Sequence, residues 1–140
     1  MANHLLYKPE YCQLLIDHMS AGGSFVSFAG TINVGKRTIY EWVERYPEFA
    51  DANFHLGNIL KDLGATKEAE KFLIRTIKIN TKYIKAYNNL GTLLEELGRL
   101  KEAEFYFRKA ISIDSSFIEA YINLGTILLK TKKTKEAKAT

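Results

Sequence analysis

A step of 34 residues along the chain is the feature that most limits what it can fold into. Three Leu-Gly pairs are separated by this step, with their glycines at Gly57, Gly91 and Gly125. The same step links three alanines, at Ala69, Ala103 and Ala137. A period of this length is typical of stacked supersecondary units, each of which buries its apolar face only against its neighbours. The sequence therefore predicts an array of similar units.

Each unit has the pattern of two helices joined by a tight turn. Within Ile84–Phe117, apolar residues recur at helical spacing both before and after Gly98, which interrupts the pattern. Gly91 and Ala103 lie where the two helices would cross, and small residues there let the backbones approach closely. The predicted fold class is therefore all-α, built from antiparallel helix pairs.

Residues 50–140 resemble the tetratricopeptide-repeat family, which has an aromatic residue before Leu-Gly on the first helix and Ala, an aromatic residue and Ala on the second. The resemblance implies an α-solenoid with units at 50–83 and 84–117 and an incomplete unit at 118–140. In the last unit Lys132 replaces the turn glycine, and we expect a first helix over Ile118–Lys130 and the start of a second over Thr134–Thr140. Ser116 and Glu119 have the spacing of a capping box for that first helix.

Proteins of this family bind partners on a concave face formed by the first helix of each unit. The resemblance implies a protein-protein interaction scaffold that binds a peptide or a partner helix in this groove. Asn88, Asn89 and Asn123 resemble the asparagine ladder of the family's sugar-transferase branch, in which an amide both donates to and accepts from a peptide backbone. The alternative is that these amides only cap helices or face solvent. The expected groove residues are Phe54, Asn58, Lys61, Lys85, Asn88, Asn89, Thr92, Glu95, Ile122, Asn123 and Thr126.

Residues 1–49 have a different pattern, that of a helix-turn-helix segment with three helices. The first helix should begin with Pro9 at its first position and carry an apolar stripe that includes Leu14. Ser24 is a good N-cap, Asn33 suits a turn position with positive φ, and Lys36–Tyr46 forms the third helix. Residues 7–50 resemble the N-terminal domain of phage terminase small subunits, which implies DNA binding through residues 24–46 with the repeats mediating assembly. The alternative is a three-helix cap on the repeats without a DNA role. The expected DNA-binding residues are Lys36, Arg37, Thr38, Tyr40 and Glu41.

A second motif overlaps this turn. Gly30–Lys36 matches most of a phosphate-binding P-loop, but Arg37 follows the lysine where a Ser or Thr is needed to bind Mg²⁺. A nucleotide-binding fold would also need parallel strands, and the chain after residue 50 has helical patterns. A nucleotide site is therefore not expected.

Composition and charge narrow the remaining classes. The net charge is +4, but its excess lies near the C-terminus, in a basic run that is typical of a solvated helix face. No membrane span or secretory leader is expected, so the setting should be cytoplasmic, with Cys12 as a buried reduced thiol. His and Cys spacing suggests neither a metal site nor a partnered nucleophile, so we expect a non-enzyme without cofactors.

The end of the array leads to one further expectation. A last unit that lacks most of its second helix would leave Leu124, Ile127 and Leu128 partly uncovered. We therefore expect either a fragment of a longer array or a homodimer that forms through the C-terminal end, around Ile118–Lys130.

Overall fold

The computed structural model describes residues 8–46 and 48–139, and of residues 25, 26, 36, 39, 40, 43, 44 and 48 it describes only the backbone. This part of the chain contains helices and turns but no strand, which confirms the predicted all-α fold. The helices are α1 (Tyr11–Ser20), α2 (Phe25–Thr31), α3 (Lys36–Arg45), α4 (Glu48–Asp62), α5 (Thr66–Ile79), α6 (Ile84–Glu96), α7 (Leu100–Ile113) and α8 (Ile118–Ala139).

Two compact units make up the chain, Met1–Thr81 and Lys82–Thr140. The first repeat therefore belongs to the same compact unit as the N-terminal helices. In this unit α4 and α5 pair, α1 packs on α4, and α3 contacts both α4 and α5. The contact between α1 and α4 is more extensive than that between α3 and α4, which the sequence did not indicate. The predicted division into two domains, residues 1–49 and 50–140, stays a prediction.

The core of the first unit is formed by apolar side chains from all five of its helices. Trp42 of α3 is 2% exposed and stacks on Tyr11 of α1, with ring centroids 5.7 Å apart. Burying rings of this size contributes strongly to stability, because each removes a large apolar area from water. Other fully or nearly fully buried side chains are Leu15, Phe28, Phe49, Leu56 and Leu73.

The start of α2 follows the prediction and the start of α1 does not. Ser24 is the N-cap of α2, and Ser24 and Ser27 each accept a hydrogen bond from the other's backbone N–H, at 3.1 and 2.8 Å. By contrast, α1 begins at Tyr11, after Pro9 rather than at it. Leu14, expected on the apolar stripe of this helix, is 46% exposed.

Glycine makes the turn inside each of the first two repeats. Gly64 and Gly98 have φ of 80° and 76°, a left-handed conformation that L side chains rarely adopt. In the second unit the turn at Gly98 lets α7 fold back on α6. The expected close approach is present, since Ala103 is fully buried and an added Cβ at Gly91 would lie 2.6 Å from Phe107 Cε1.

The third repeat differs from the prediction. α8 is one continuous helix of 22 residues, so Thr134–Thr140 does not begin a second helix within the described residues. The predicted capping box of Ser116 and Glu119 was also wrong. The Ser116 hydroxyl donates to Asp114 Oδ1 at 2.6 Å, as does its backbone N–H at 2.9 Å, and this Asx turn leads into α8.

Two smaller expectations concern Cys12 and the membrane. Cys12 is half-buried rather than buried. Among the described helices, none combines the length and apolar character that a membrane span needs.

Candidate functional site

The candidate site lies where α6 and α8 run beside each other in the unit Lys82–Thr140. Asn123 of α8 donates from Nδ2 to Asn88 Oδ1 of α6 at 3.0 Å. Asn88 is only 5% exposed, so this bond satisfies an amide oxygen that burial would otherwise leave without water. The amide pair therefore fixes α8 against α6 at one point.

An ion pair joins the same two helices at a second point. Lys130 Nζ lies 2.5 Å from Glu95 Oε1. The Glu95 side chain is 14% exposed and the Lys130 side chain is 51% exposed, so solvent screens the charge of Lys130 more than that of Glu95. Both bridges join residues 35 positions apart along the chain, and the site lies between them.

Two threonines give the site its hydrogen-bonding character. Thr92 Oγ1 donates to the Asn88 carbonyl at 3.0 Å, and Thr126 Oγ1 donates to the Ile122 carbonyl at 3.1 Å. Each hydroxyl has thereby used its only hydrogen, and its remaining lone pairs can only accept. The surface between the bridges thus offers acceptors for N–H groups beside the exposed side chain of Ile122.

The predicted groove residues of this unit divide by exposure. Lys85, Ile122 and Thr126 are exposed, Asn89, Thr92, Glu95 and Asn123 are half-buried, and Asn88 is buried. Asn88 was expected to bind ligand directly. It is only 5% exposed, and its side-chain oxygen accepts a hydrogen bond from Asn123, so its part in binding stays a prediction.

The predicted groove residues of the unit Met1–Thr81 are Phe54, Asn58 and Lys61. Phe54 is 7% exposed with its ring 5.6 Å from that of His55, so its expected place on an open face was wrong. Asn58 and Lys61 are half-buried. Asn58 lines a cleft of about 310 Å³ between α1 and α4, together with Gln13, Ile16, His55, Ile59 and Asp62. Sequence reasoning missed the α1 side of this cleft because only the repeats carry the 34-residue period.

The predicted DNA-binding segment has the expected turn but not all of the expected surface. Asn33 has φ of 55°, and Ala29 is 2% exposed, as a close crossing of α2 and α3 requires. Thr38, expected on the outer face, is 3% exposed, so that expectation was wrong. The side chains of Lys36 and Tyr40 lie outside the described residues.

Arg37 and Glu41 are the two predicted DNA contacts whose side chains lie on the surface. Arg37 Nε is 3.2 Å from Glu41 Oε1, and the two side chains are 92% and 53% exposed. Such an exposed pair at i, i+4 is weak, so Arg37 can exchange this carboxylate for another anion. Glu41 itself would repel a phosphate.

Comparison with known proteins identifies the repeats. Models of the tetratricopeptide repeat match residues 84–117 and residues 50–83 and 118–140. A search of the curated proteins found no significant match.

Solved structures of MamA are similar to this chain. One is 31% identical with a TM-score of 0.59 and covers 64% of this chain, which spans about half of that protein, 53%. A second MamA structure matches over 94% of this chain and 88% of its own chain, with a TM-score of 0.59. Because the two sequences are only 20% identical, this similarity bears on the fold alone. These matches carry no information on a terminase-like N-terminal segment.

Proposed function

Because this chain belongs to the tetratricopeptide-repeat family, matched over residues 50–83, 84–117 and 118–140, we propose that it is a protein-interaction scaffold that binds an extended peptide on the α6–α8 surface. The observation that carries the proposal is the pair of bridges, Asn88–Asn123 and Glu95–Lys130, with hydrogen-bond acceptors between them and an exposed Ile122 beside Asn123. Two helices held together at two points form a surface that needs little ordering when a ligand binds.

The chemistry of the surface selects the class of ligand. Thr92 and Thr126 can accept hydrogen bonds from backbone N–H groups, which an extended peptide presents and a helix does not. Ile122, 63% exposed, offers a contact for one apolar side chain of the peptide. An extended segment with an apolar residue therefore fits better than a partner helix.

The test begins with peptides selected from a displayed random library on the immobilised protein. We expect Thr126→Ala to lower the affinity for the selected peptide by about 2- to 12-fold, which is the equivalent of one hydrogen bond of about 0.5–1.5 kcal/mol. The matched control is Thr134→Ala, which removes an exposed hydroxyl that also donates to the carbonyl four residues earlier, at 2.9 Å. Fluorescence anisotropy measures both.

Asn123→Ala serves as a second variant with a different expectation. It should lower the affinity for the peptide. It should also lower the free energy of unfolding by about 1–3 kcal/mol, because it leaves the buried side-chain oxygen of Asn88 unpaired. Amide chemical shifts of the bound protein give an independent map. Peptides that shift no amide between Asn88 and Thr126, or that bind Thr126→Ala as tightly as the unmodified protein, would refute the groove.

DNA binding by residues 24–46 is the second candidate function, and the formed turn at Asn33 with the exposed Arg37 favours it. Each phosphate contact releases counterions, so loss of Arg37 should reduce the salt slope of binding by about 0.9. Arg45→Ala, an exposed arginine on the same helix, is the control. Absence of any complex with duplex DNA in a low-salt mobility-shift titration would leave the N-terminal helices as a cap.

Homodimer formation through the C-terminal end is a separate proposal, because it uses another face of α8.

A further inference from the structure

α8 carries apolar side chains on two of its faces. One face is buried in the unit, with Ala120 and Ile127 fully covered. The other is exposed, and at 3.6 residues per turn its side chains lie within about 60° of Gly125. This Gly125 stripe consists of Ile118, Tyr121, Ile122, Leu128 and Leu129, which are 70%, 48%, 63%, 43% and 62% exposed. A helix that is apolar on both sides is typically covered on both sides.

The preceding repeat shows that such a face is built for packing. One period earlier, the counterparts of Tyr121 and Leu128 are Tyr87 and Leu94 of α6, which are 8% and 0% exposed. The counterpart of Gly125 is Gly91, on which Phe107 of α7 packs closely. At Gly125 itself, an added Cβ would meet nothing within 4 Å. The stripe therefore has the residues of a helix-packing face, but nothing in the described residues covers it.

The order of residues in the stripe is symmetric about Gly125. Large apolar residues lie three and four positions before it, at Ile122 and Tyr121, and three and four positions after it, at Leu128 and Leu129. If a second α8 crosses antiparallel at Gly125, Ile122 meets Leu129 of the partner subunit and Tyr121 meets Leu128 of the partner subunit, since each pair lies on one side of the helix. Glycine at the crossing allows the two backbones to approach closely.

The charges beside the stripe complement each other in the same arrangement. Glu119 and Lys133 are exposed on the same side of the helix, six residues before and eight residues after Gly125. A two-fold axis at Gly125 brings Glu119 close to Lys133 of the partner subunit, and the reverse pair forms on the other copy. Opposite charges thus meet at both ends of the contact.

We propose that the Gly125 stripe binds a second copy of this chain, in a two-fold antiparallel contact between the two α8 helices that crosses at Gly125. This proposal goes beyond the peptide site and does not depend on it. Ile122 lies at the border of the two surfaces, so the tests use Leu128, Glu119 and Lys133, which the peptide site does not use.

Sedimentation velocity gives the first test. An interface of moderate size has a dissociation constant of about micromolar order, so the unmodified protein should sediment as a dimer at about tens of micromolar. The dimer should dissociate on dilution. Leu128→Glu should weaken the dimer by about a hundredfold or more, because a two-fold contact loses the buried leucine twice. The control is Phe105→Glu, which introduces the same charge on α7. Phe105 is 52% exposed and lies on the side of α7 opposite to the buried residues of that helix. Circular dichroism checks that both variants fold.

A charge exchange tests the register. Glu119→Lys alone and Lys133→Glu alone each set like charges against each other twice and should weaken the dimer at low salt. An equimolar mixture of the two variants should restore dimers, because both pairs in a mixed dimer are again attractive. A monomeric unmodified chain at high micromolar concentration would overturn the proposal. So would a dimer that Leu128→Glu leaves intact, or a mixture that shows no restoration.

Discussion

Adding one methyl group at each of three glycines related by the repeat should change stability in three different ways. At Gly91 the new Cβ would lie 2.6 Å from Phe107 Cε1, with two more ring atoms within 2.9 Å. At Gly57 it would lie 2.8 Å from Leu73 Cγ. At Gly125 it would meet nothing within 4 Å. The helical context is the same in each case, so the differences arise from what packs on the glycine.

The magnitudes follow from two opposing effects. Alanine is favoured over glycine inside a helix by about 1 kcal/mol. Carbon atoms in contact lie about 3.5–4.0 Å apart, so the methyl group at Gly91 overlaps the Phe107 ring by about 1 Å, and overpacking of this kind costs about 1–3 kcal/mol. Phe107 is fully buried and cannot turn toward solvent. We expect Gly91→Ala to destabilise by up to about 2 kcal/mol, the cost of overpacking less the gain in helix propensity, and Gly125→Ala to stabilise by about 0.5–1 kcal/mol.

Gly57→Ala should fall between these two. Leu73 is also fully buried, but its branched side chain can rotate more easily than a ring can shift. The net change should therefore be about 0–1 kcal/mol, destabilising. The order of the three variants is a sharper test than any single value.

Urea unfolding followed by circular dichroism measures all three variants, at protein concentrations low enough that copies do not associate. The double variant Gly91→Ala with Phe107→Leu supplies a control, because a smaller side chain at position 107 should recover part of the loss. Equal shifts in the midpoint for Gly91→Ala and Gly125→Ala would refute the close approach of α6 and α7. A change in m would instead indicate that the two units unfold separately.

Two further predictions concern polar groups. Asn53 is 1% exposed, and its Oδ1 has no hydrogen-bond partner among the described residues, although its Nδ2 donates to the Phe49 carbonyl at 2.6 Å. Asn53→Leu should raise the free energy of unfolding by about 1 kcal/mol, because removing the unpaired oxygen outweighs the loss of that bond; a lower urea midpoint would contradict this. Hydrogen bonds from the Ser116 hydroxyl and backbone lower the pKa of Asp114, so its stabilising effect is complete at neutral pH and is lost as the pH falls through that lowered value. Ser116→Ala should raise this pKa toward the ordinary 3.8 in a carboxyl ¹³C titration, and an unchanged pKa would show that the hydroxyl has no part in it.

The repeats could be predicted from the sequence because each of their features has a local cause. Gly64 and Gly98 mark turns, since their positive φ excludes most other residues. Gly91 and Ala103 mark the helix crossing because only small residues fit there. These signals recur with one period, so each unit supports the interpretation of the next.

Burial at the candidate site could not be predicted in the same way. The period gives Phe54, Asn88 and Ile122 one shared position, yet they are 7%, 5% and 63% exposed. Asn88 is buried because α8 lies on it and Asn123 bonds to it, whereas Ile122 has no described neighbour of that kind. A period specifies which way a side chain points from its own helix, but its exposure depends on what lies next to that helix.

The N-terminal helices show a related limit. The resemblance to terminase small subunits implied that Thr38 lies on the outer face of α3, as in a recognition helix, but the side chain is buried. α3 begins at Lys36, so Thr38 lies in its first turn, where the helix leaves the turn at Gly35. At that point the orientation of the preceding turn decides which residues face the core, and a short helix of 10 residues has no long periodic pattern to fix it.

The continuous course of α8 follows from one substitution within the repeat pattern. Gly64 and Gly98 turn the chain with positive φ, and the third unit has Lys132 at the equivalent position. A lysine in the left-handed conformation is disfavoured by about 1–2 kcal/mol, whereas lysine in a helix is favourable. The helix therefore passes through Lys132 to Ala139. As a result the chain does not fold back over Gly125 there. Tyr121 and Leu128, whose counterparts Tyr87 and Leu94 in α6 are buried, therefore stay exposed, as the proposed contact with a second copy requires.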